Sequence, residues 1–389
     1  MSTVVILSGM DRPGITQSLL EEIHALKLPH AISDMEQVVI HGHLILTLAL
    51  EIDVWEKSTL LDTLAQYAQS RGLEMRAQEA DHRRSDTDAA EQTVHITVMG
   101  HELSAGPLGR VAAVVNKAGG NIERIFRIAH YPVTAIELLV SGVSVDVIKK
   151  PLAQIANETP VDIGVQAGGL QRRAKKLVVL DVDSTLIQQE VIELLAAHAG
   201  VEGRVSEITK RAMNGELDFA AALRERVALL AGLNAKVLDD VRAQIQLTPG
   251  ARTLVRTLKR LHHKVGIVSG GFTEVITPIA QDLGIDFIAA NHLEILDGRL
   301  TGKVQGSIID RAGKAAALRE FARQADVAVE DTVAIGDGAN DLDMIAQAGL
   351  GIAFNAKQIV RESADTAVTT PYLDSVLYLL GIPRNEITA

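Results

Sequence analysis

The second half of the chain contains three short runs of β-branched and aliphatic residues, and each run ends at small or acidic residues. The runs are LVVL before Asp181, VGIV before Ser269 and TVAIG before Asp337. Helical stretches separate them, and this alternation is typical of a parallel sheet flanked by helices. In such folds ligands bind at the carboxyl ends of the strands, so the polar residues after each run are candidate site residues.

The first strand end carries a pair of aspartates. Asp181 and Asp183 are two positions apart, so on extended chain both carboxylates can reach one site. Ser269 and Gly270 follow the second strand, and Lys314 opens a later helix. The third strand end adds three further polar side chains, Asp337, Asn340 and Asp341. Acidic, hydroxyl and basic groups are therefore expected at one edge of the sheet.

In this order, the four pieces resemble the motifs of the haloacid dehalogenase superfamily of phosphotransferases, from about Leu177 to near the C-terminus. The resemblance implies that Asp181 is a nucleophile that forms a phospho-aspartate. A carboxylate and a dianionic phosphate repel each other, and the cation implied to remove this repulsion is Mg²⁺. Its implied ligands are the side chains of Asp181 and Asp337 and the backbone carbonyl of Asp183, with Asp341 in the shell behind them.

The resemblance also implies which groups hold the substrate phosphate. Ser269 and Lys314 would bind phosphoryl oxygens, the lysine as a point charge. Backbone N–H groups near Asp181 and at Gly270 would complete an anion nest. Asn340 would contact the substrate as well.

The second aspartate indicates the type of reaction. Asp183 can protonate the leaving alkoxide and then deprotonate the water that cleaves the phospho-enzyme. Relatives that store the phospho-aspartate for transport carry threonine here, so aspartate favours a phosphatase or a mutase. The alternative is that Asp181 and Asp183 only cap a helix or a turn, which leaves the downstream motifs unexplained.

The segment 190–262, between the first two strands, has a helical pattern and is predicted to be a cap that closes over the site. Its runs QQEVIELLAAHAG, ITKRAMNGELDF and LRERVALL resemble phosphoserine phosphatases. The resemblance implies that Glu190 binds the substrate ammonium and Arg226 its carboxylate, with Met213 and Phe219 packing over the site. As alternatives, Glu190 interacts only with its helix dipole, and Arg226 is an exposed arginine that pairs with an acidic neighbour.

The front of the chain contains a duplicated pattern. A strand-like run before Gly9 leads to a turn, a helix and a β-rich run, and the same order follows Gly100. A later helix ends each copy, which predicts two α+β units with antiparallel sheets.

Both copies resemble ACT domains, regulatory modules that often bind amino acids. The resemblance rests on the DRPG turn that ends at Gly14 and on Gly106 at the matching place in the second copy. It implies L-serine as a regulatory ligand near these glycines, and a homo-oligomer, either a dimer or a tetramer. The alternative is that both glycines serve only a tight turn in a duplicated structural domain.

Polar linkers at 81–92 and 164–176 divide the chain into three predicted domains. These are ACT domains at 1–80 and 93–165 and a haloacid dehalogenase-like domain at 176–389. The predicted fold class is α/β, a Rossmann-like parallel-sheet domain with a helical cap, preceded by two α+β domains.

Composition limits the function classes. The net charge of −11 argues against a nucleic-acid partner, and the absence of cysteine excludes disulfides and thiol nucleophiles. No apolar run is long enough for a membrane span, and the N-terminus lacks the pattern of a signal peptide. The expected compartment is the cytoplasm.

Together with the motifs, the resemblance to phosphoserine phosphatases implies an Mg²⁺-dependent enzyme that hydrolyses O-phospho-L-serine to L-serine and phosphate, the last step of serine biosynthesis. Two alternatives stay open, a phosphatase for another small phosphomonoester and an inactive ACT protein that senses amino acids. The intact set of Asp181, Asp183, Lys314 and Asp337 disfavours the sensor. A transport ATPase is disfavoured because the sequence has no membrane spans.

Overall fold

The computed structural model describes residues 2–28, 30–79, 93–169, 175–213 and 216–387. The chain forms two compact units, Met1–Asp88 and Ala89–Ala389. The described part of the chain contains no helix that is long and apolar enough to cross a membrane.

In the described residues of the first unit, two helices pack on a four-stranded antiparallel sheet in the order β2-β3-β1-β4. Its core is built from the alternating inward side of β3 and from helix residues four apart, such as Leu19 and Ile23. The elements are β1 (Ser2–Met10), α1 (Ile15–Ala25), β2 (His30–Ile40), β3 (His43–Ile52), α2 (Val54–Arg71) and β4 (Glu74–Glu79).

The second unit begins with a domain of the same topology, with sheet order β6-β7-β5-β8. The predicted α+β order is confirmed in both copies, and each copy adds a fourth strand after its second helix. The elements are β5 (Val94–Gly100), α3 (Ala105–Lys117), β6 (Asn121–Ala129), β7 (Thr134–Ser141), α4 (Val145–Glu158) and β8 (Asp162–Ala167).

Strand β8 occupies the first residues of the segment 164–176, which we interpreted as a linker, so that interpretation is wrong for residues 164–167. Gly164 suggested a break in the sequence, but it lies within the strand. A Cβ at this position would come within 2.6 Å of the Leu379 side chain. The glycine therefore permits close approach of the C-terminal segment rather than ending the strand.

The same unit continues into a seven-stranded sheet with order β12-β11-β10-β9-β13-β14-β15. All neighbouring strands are parallel except β11 and β12, which form an antiparallel hairpin. The predicted α/β parallel-sheet class is confirmed. The strands are β9 (Leu177–Asp181), β10 (Lys264–Phe272), β11 (Phe287–Leu296), β12 (Arg299–Gln305), β13 (Thr332–Gly336), β14 (Leu350–Phe354) and β15 (Thr366–Val368).

Ten helices of this sheet domain lie in the described residues. Four of them fall between β9 and residue 245, in the segment predicted as a cap: α5 (Val191–Ala199), α6 (Glu202–Met213), α7 (Phe219–Ala228) and α8 (Val237–Gln244). The others are α9 (Ala251–Arg260), α10 (Thr273–Leu283), α11 (Arg311–Ala325), α12 (Leu342–Gln347), α13 (Gln358–Ser363) and α14 (Val376–Leu379). Helix α9 lies within the predicted cap segment but packs against strand β10, so it belongs with the helices of the sheet.

Backbone hydrogen bonds link the cap helices to the rest of the domain. Where the chain enters and leaves the cap, Ile187 pairs with Leu247 in an antiparallel bridge. Four residues after the end of α7, the N–H of Gly232 donates to the carbonyl of Leu300 in β12 at 2.8 Å. The β11–β12 hairpin therefore supports the cap from the side of the sheet.

Candidate active site

The central strand β9 places Asp181 at the carboxyl edge of the sheet. Asp181 is paired in register with Val268 of β10, and the preceding Leu180 is paired with Ile335 of β13. Ser269 follows the last residue of β10 that pairs with β9, and Asp337 follows the end of β13. These two residues therefore lie on either side of Asp181, because parallel neighbours end at the same edge.

Asp181 is buried and bonded on one oxygen. Its Oδ1 accepts hydrogen bonds from the N–H of Val182 at 2.8 Å and from Nζ of Lys314 at 2.6 Å. The same Nζ donates to Oδ1 of Asp341 at 2.7 Å. Burial opposes the charge of Lys314, but Asp181 and Asp341 outweigh burial and raise the pKa of the lysine. The lysine is a fixed cation beside the candidate nucleophile.

The turn Val182–Leu186 after this strand has non-helical backbone at Asp183 and Ser184, and it carries the second aspartate. Oδ1 of Asp183 accepts from the N–H of Val191, the first residue of α5, at 2.8 Å. Oδ2 accepts from the hydroxyl of Ser269 at 2.8 Å. Burial raises the pKa of Asp183, although these two hydrogen bonds oppose the shift. The Asp183 carboxyl thus connects the cap entrance to the second strand end.

Three carboxylates converge at this edge. Asp181, Asp337 and Asp341 each offer an oxygen, and the three oxygens lie within 4.8 Å of one another. Burial and then Asp341 raise the pKa of Asp181, and the same two causes raise the pKa of Asp337 to about 6. A divalent cation would offset this repulsion, and an all-oxygen set of partly buried carboxylates fits Mg²⁺. The side chain of Asp183 lies outside this cluster.

Asp341 is the most tightly packed carboxylate of the cluster. It is fully buried, its Oδ1 accepts from Lys314, and its Oδ2 accepts from the N–H of Gly338 at 3.0 Å. A Cβ on Gly336 would lie 2.5 Å from its carboxylate. The glycine before Asp337 therefore makes room for the second acid.

A cavity of about 70 Å³ opens in front of Asp181, and a wider cleft of about 470 Å³ shares its walls. Most of the residues predicted from the sequence line the smaller cavity: Asp181, Asp183, Glu190, Phe219, Arg226, Gly270, Lys314 and Asn340. Asp337 lines the wider cleft.

Ser269 is at the site, but its hydroxyl does not line the cavity. The residue is fully buried, and the hydroxyl donates to Asp183 while it accepts from the N–H of Gly271 at 2.7 Å. A contact from this hydroxyl to a phosphoryl oxygen requires that its hydrogen bond to Asp183 be exchanged.

The two residues predicted to recognise the amino acid carry opposite charges in the same cavity. Glu190 precedes helix α5 but makes no capping hydrogen bond; its Oε1 accepts from the hydroxyl of Ser184 at 2.8 Å. Burial and then Asp183 raise the pKa of Glu190 to about 7. The carboxylate therefore faces the cavity rather than its own helix.

Arg226 is partly buried, and burial lowers its pKa. Its Nε donates to the carbonyl of Ala222 within its own helix at 3.3 Å. It forms no ion pair within the described ranges, whereas Arg211 of the preceding helix pairs with Glu225 at 3.3 Å. The guanidinium therefore lines the cavity without a salt bridge to a described acid, although the nearby charges of Glu190 and Asp183 oppose the fall in its pKa.

Two further cap residues, Phe219 and Met213, were predicted to pack over the site. The ring of Phe219 lies over Gly270, where a Cβ would come within 3.0 Å of it. Met213 ends helix α6, but its side chain is outside the described residues.

The two ACT glycines lie at the starts of helices. Gly14 precedes helix α1 with φ of 90°, and Gly106 lies in the first turn of α3, where a Cβ would meet nothing within 4 Å. Neither glycine lies near the carboxylate cluster in sequence, and both remain candidates for a separate ligand site.

Two polar residues at the site were missed from the sequence. Ser184 adopts a left-handed backbone with φ of 58° and holds Glu190. Asn291 is fully buried and bonds to Gly270. The signal for Ser184 was its place between the motif residues Asp183 and Glu190. The signal for Asn291 was an amide directly after the apolar run FIAA.

Comparisons with known proteins agree with this architecture. The description "haloacid dehalogenase-like hydrolase" matches residues 178–346, and ACT domain descriptions match residues 2–78 and 92–166. The chain is 53% identical to a phosphoserine phosphatase of Streptomyces coelicolor, over 99% of this chain and 93% of the relative. It is 49% identical to phosphoserine phosphatase SerB2 of Mycobacterium tuberculosis, over 100% of this chain and 95% of the relative.

Among solved structures, one described as a phospho-aspartyl intermediate analogue of phosphoserine phosphatase is similar to the C-terminal part. The TM-score is 0.50 and the identity is 42%, and the match covers 52% of this chain and 98% of that chain.

Proposed function

The chain belongs to the phosphoserine phosphatase family of haloacid dehalogenase-like hydrolases, and on that premise we propose a reaction path on its own residues. O-phospho-L-serine is hydrolysed to L-serine and phosphate through a phospho-aspartate on Asp181. The observation that carries the assignment is that Asp181, Glu190 and Arg226 line the same cavity. These residues match the three charged groups of this substrate: the carboxylate of Glu190 for the ammonium, the guanidinium of Arg226 for the carboxylate, and the nucleophile Asp181 for the phosphate.

In the first step, a carboxylate oxygen of Asp181 attacks phosphorus, and the bond from phosphorus to the serine oxygen breaks. Asp183 in its protonated form gives its proton to that oxygen as it leaves. Burial, which raises the pKa of Asp183, favours the protonated form that this step needs. Lys314 stabilises the charge on the transferring phosphoryl group.

In the second step, Asp183 takes a proton from water as the water attacks the phospho-aspartate, and phosphate leaves. The hydrogen bond from Val191 holds the Asp183 carboxyl at the mouth of the cap during both steps. Its position lets one carboxyl act on the leaving oxygen and then on water.

We propose Mg²⁺ as the cofactor, held by Asp181, Asp337 and the backbone carbonyl of Asp183, with Asp341 behind them. The close set of carboxylate oxygens supports this choice. When bound, the ion would offset the repulsion between the carboxylates and the substrate phosphate.

Phosphate release from O-phospho-L-serine, with and without EDTA, tests the assignment. Two analogues give the specificity, O-phosphoethanolamine without the carboxylate and 3-phosphooxypropanoate without the ammonium. We expect turnover that EDTA abolishes and a preference for the zwitterionic ester. Equal turnover of all three esters would favour the alternative of a broader phosphatase, and no turnover with Mg²⁺ would favour an amino-acid sensor.

We also propose that the ACT domains bind L-serine near Gly14 and Gly106 in a cytoplasmic homo-oligomer, a dimer or a tetramer. The open space at Gly106 supports a test by Gly106→Ala, because the methyl group meets nothing and alanine favours a helix. Gly14→Ala is a harsher change, because φ of 90° strains any other L-residue. Serine-dependent changes in mass by light scattering should weaken in both variants, and an unchanged response would refute the site.

Point variants suit this test better than deletion of the front half. Met99 and Val133 of the second ACT domain share one buried core with Tyr378 and Leu379 of the sheet domain. Removal of residues 1–165 would expose that core, so a loss of activity in a truncated chain would not report on regulation.

A further inference from the structure

The phosphate-binding turn Ser269-Gly270-Gly271 interrupts the pairing of strands β10 and β11. Val268 pairs with Ala289, and the next pair is Phe272 with Asn291, so the register shifts between them. Three residues of β10 therefore face a single residue of β11. Such a bulge re-aims backbone groups toward a site, and it leaves some of them without ladder partners.

One side chain of β11 replaces the missing ladder contact. Asn291 is 0% exposed, and its Nδ2 donates to the carbonyl of Gly270 at 2.9 Å. The backbone carbonyl of Asn291 in turn accepts from the hydroxyl of Thr273 at 3.1 Å, just after the bulge. Asn291 thus fixes the orientation of the Gly270–Gly271 peptide, whose N–H donates to the hydroxyl of Ser269 at 2.7 Å.

The other end of the same amide reaches the segment that carries the lysine. Oδ1 of Asn291 accepts from the N–H of Ile309 at 2.8 Å. The next residue, Asp310, begins helix α11 by accepting from the N–H of Gly313 at 2.8 Å, one residue before Lys314. The residue that the Asn291 amide contacts, Ile309, therefore lies only five positions before Lys314 in the chain.

We propose that Asn291 is a positioning residue for phosphoryl transfer, because it holds the Gly270 turn and the start of the Lys314 helix at a fixed separation. Both elements carry groups that would bind phosphoryl oxygens. Displacing such groups by a fraction of an ångström weakens transition-state stabilisation strongly. Asn291 itself does not line the cavity, so its effect is exerted through the two backbone groups.

The proposal rests on the proposed function. A positioning role differs from a purely structural role in which ligand the variant binds more weakly. Inorganic phosphate needs the Gly270 turn and Lys314, whereas the amino and carboxyl groups of L-serine need Glu190 and Arg226. Substitution of a residue that only stabilises the fold would weaken the binding of both ligands or of neither.

Asn291→Asp is the sharpest variant. It keeps an acceptor for the Ile309 N–H but replaces the donor to Gly270 by an oxygen, which repels that carbonyl. The experiment measures competitive inhibition by inorganic phosphate and by L-serine, with kcat for O-phosphoserine. We expect the phosphate inhibition constant to rise and kcat to fall, each by about tenfold or more, with serine inhibition unchanged.

Leu254→Ala is the control, because Leu254 is fully buried in α9 and outside the cavity lining. It should lower the melting temperature without changing the ratio of phosphate to serine inhibition. If the Asp variant does not fold, Asn291→Ser removes both contacts with less repulsion and should show the same selective effect.

If the wild-type chain turns over substrate but the variant loses inhibition by phosphate and by serine equally, or loses neither, the role of Asn291 is overturned. Absence of turnover in the wild-type chain would instead contradict the proposed function.

Discussion

Nζ of Lys314 lies 2.6 Å from Oδ1 of Asp181 in a position where both side chains are almost fully buried. A buried ion pair of this kind is costly to form and costly to break by removing one partner. The second contact of the lysine, with Asp341, keeps it charged when Asp181 is altered. The site is therefore held in a charged, preorganised state, and changes to single residues should report on chemistry more than on folding.

Asp181→Asn should reduce kcat by at least about 10³, because the amide is a poor nucleophile. Lys314 keeps its ion pair with Asp341, so the melting temperature should change little. Phosphate release and thermal unfolding measure the two quantities. The exposed Asp282→Asn is the control and should retain activity. Substantial turnover by pure Asp181→Asn protein would remove Asp181 from the nucleophile role.

Asp183→Asn should cost about 10²–10⁴ in rate with O-phosphoserine, the usual range for loss of a general acid–base group. p-Nitrophenyl phosphate has a good leaving group and needs no proton in the first step. The burst of released alcohol should therefore fall far less with this ester than with O-phosphoserine. Equal losses in the burst for both esters would argue that Asp183 acts only on the structure of the turn.

Arg226→Lys should raise KM for O-phosphoserine, because a point charge cannot reproduce the two-pronged contact of a guanidinium with a carboxylate. It should leave KM for O-phosphoethanolamine nearly unchanged, since that ester has no carboxylate. Arg224→Lys, on the exposed side of the same helix, is the matched control and should affect neither ester. A similar KM change with both esters would assign Arg226 a structural role.

The pKa of Glu190, raised to about 7 by burial and then by Asp183, predicts a pH-dependent substrate preference. Ionised Glu190 attracts the substrate ammonium, and protonated Glu190 does not. Between pH 8 and pH 6 the preference for O-phosphoserine over 3-phosphooxypropanoate in kcat/KM should fall by roughly tenfold, since a group with a pKa near 7 is mostly protonated at pH 6.

The comparison of the two esters cancels the ionisation of the phosphate itself. Glu190→Gln should show a low preference at every pH. Parallel pH profiles for the two esters in the wild-type enzyme would contradict an ammonium contact at Glu190.

Asp162 predicts a pH dependence of stability in the contact between the second ACT domain and the sheet domain. Its carboxylate accepts from the N–H and the hydroxyl of Thr369, both at 2.8 Å. Burial nevertheless raises the pKa of Asp162 from 3.8 to about 6. The folded state therefore prefers the protonated acid, so this residue favours folding below about pH 4 and loses that contribution as the pH rises through 6.

Asp162→Asn can keep both contacts with Thr369 and has no charge to bury. The variant should be more stable than the wild type at pH 8, by at most about 3 kcal/mol, and the difference should vanish near pH 4. Thermal unfolding at both pH values measures this, with the exposed Asp297→Asn as control. A variant less stable at pH 8 would show that the ionised carboxylate stabilises the contact.

The motif residues could be predicted from the sequence because their chemistry is local. Asp181 ends strand β9 and Asp183 lies two positions beyond it. Parallel strands end at one edge, so strand order along the chain was enough to bring the acids together. Glu190 and Arg226 needed the family resemblance, because nothing in their own neighbourhoods separates a ligand from a helix-surface charge.

Pairings over long sequence distances could not be predicted in this way. The sequence assigned Ser269 to the phosphate, but only the fold shows its hydroxyl on Asp183. Gly164 suggested a linker, and only the packing of Leu379 explains it as part of a strand. Asn291 carries no motif, and its importance arises from a register shift between β10 and β11.

The sequence by itself determined the class of the fold and the order of its domains and supplied the candidate carboxylates, since hydrophobic periodicity and strand-end chemistry act over a few residues. The tertiary structure alone decided which groups share a hydrogen bond, which charges lack a partner and which backbone groups are held in place. These depend on contacts such as Lys314 with Asp181, 133 positions apart in the chain, because burial sets the energy of a charge or an amide and burial is a property of the whole fold.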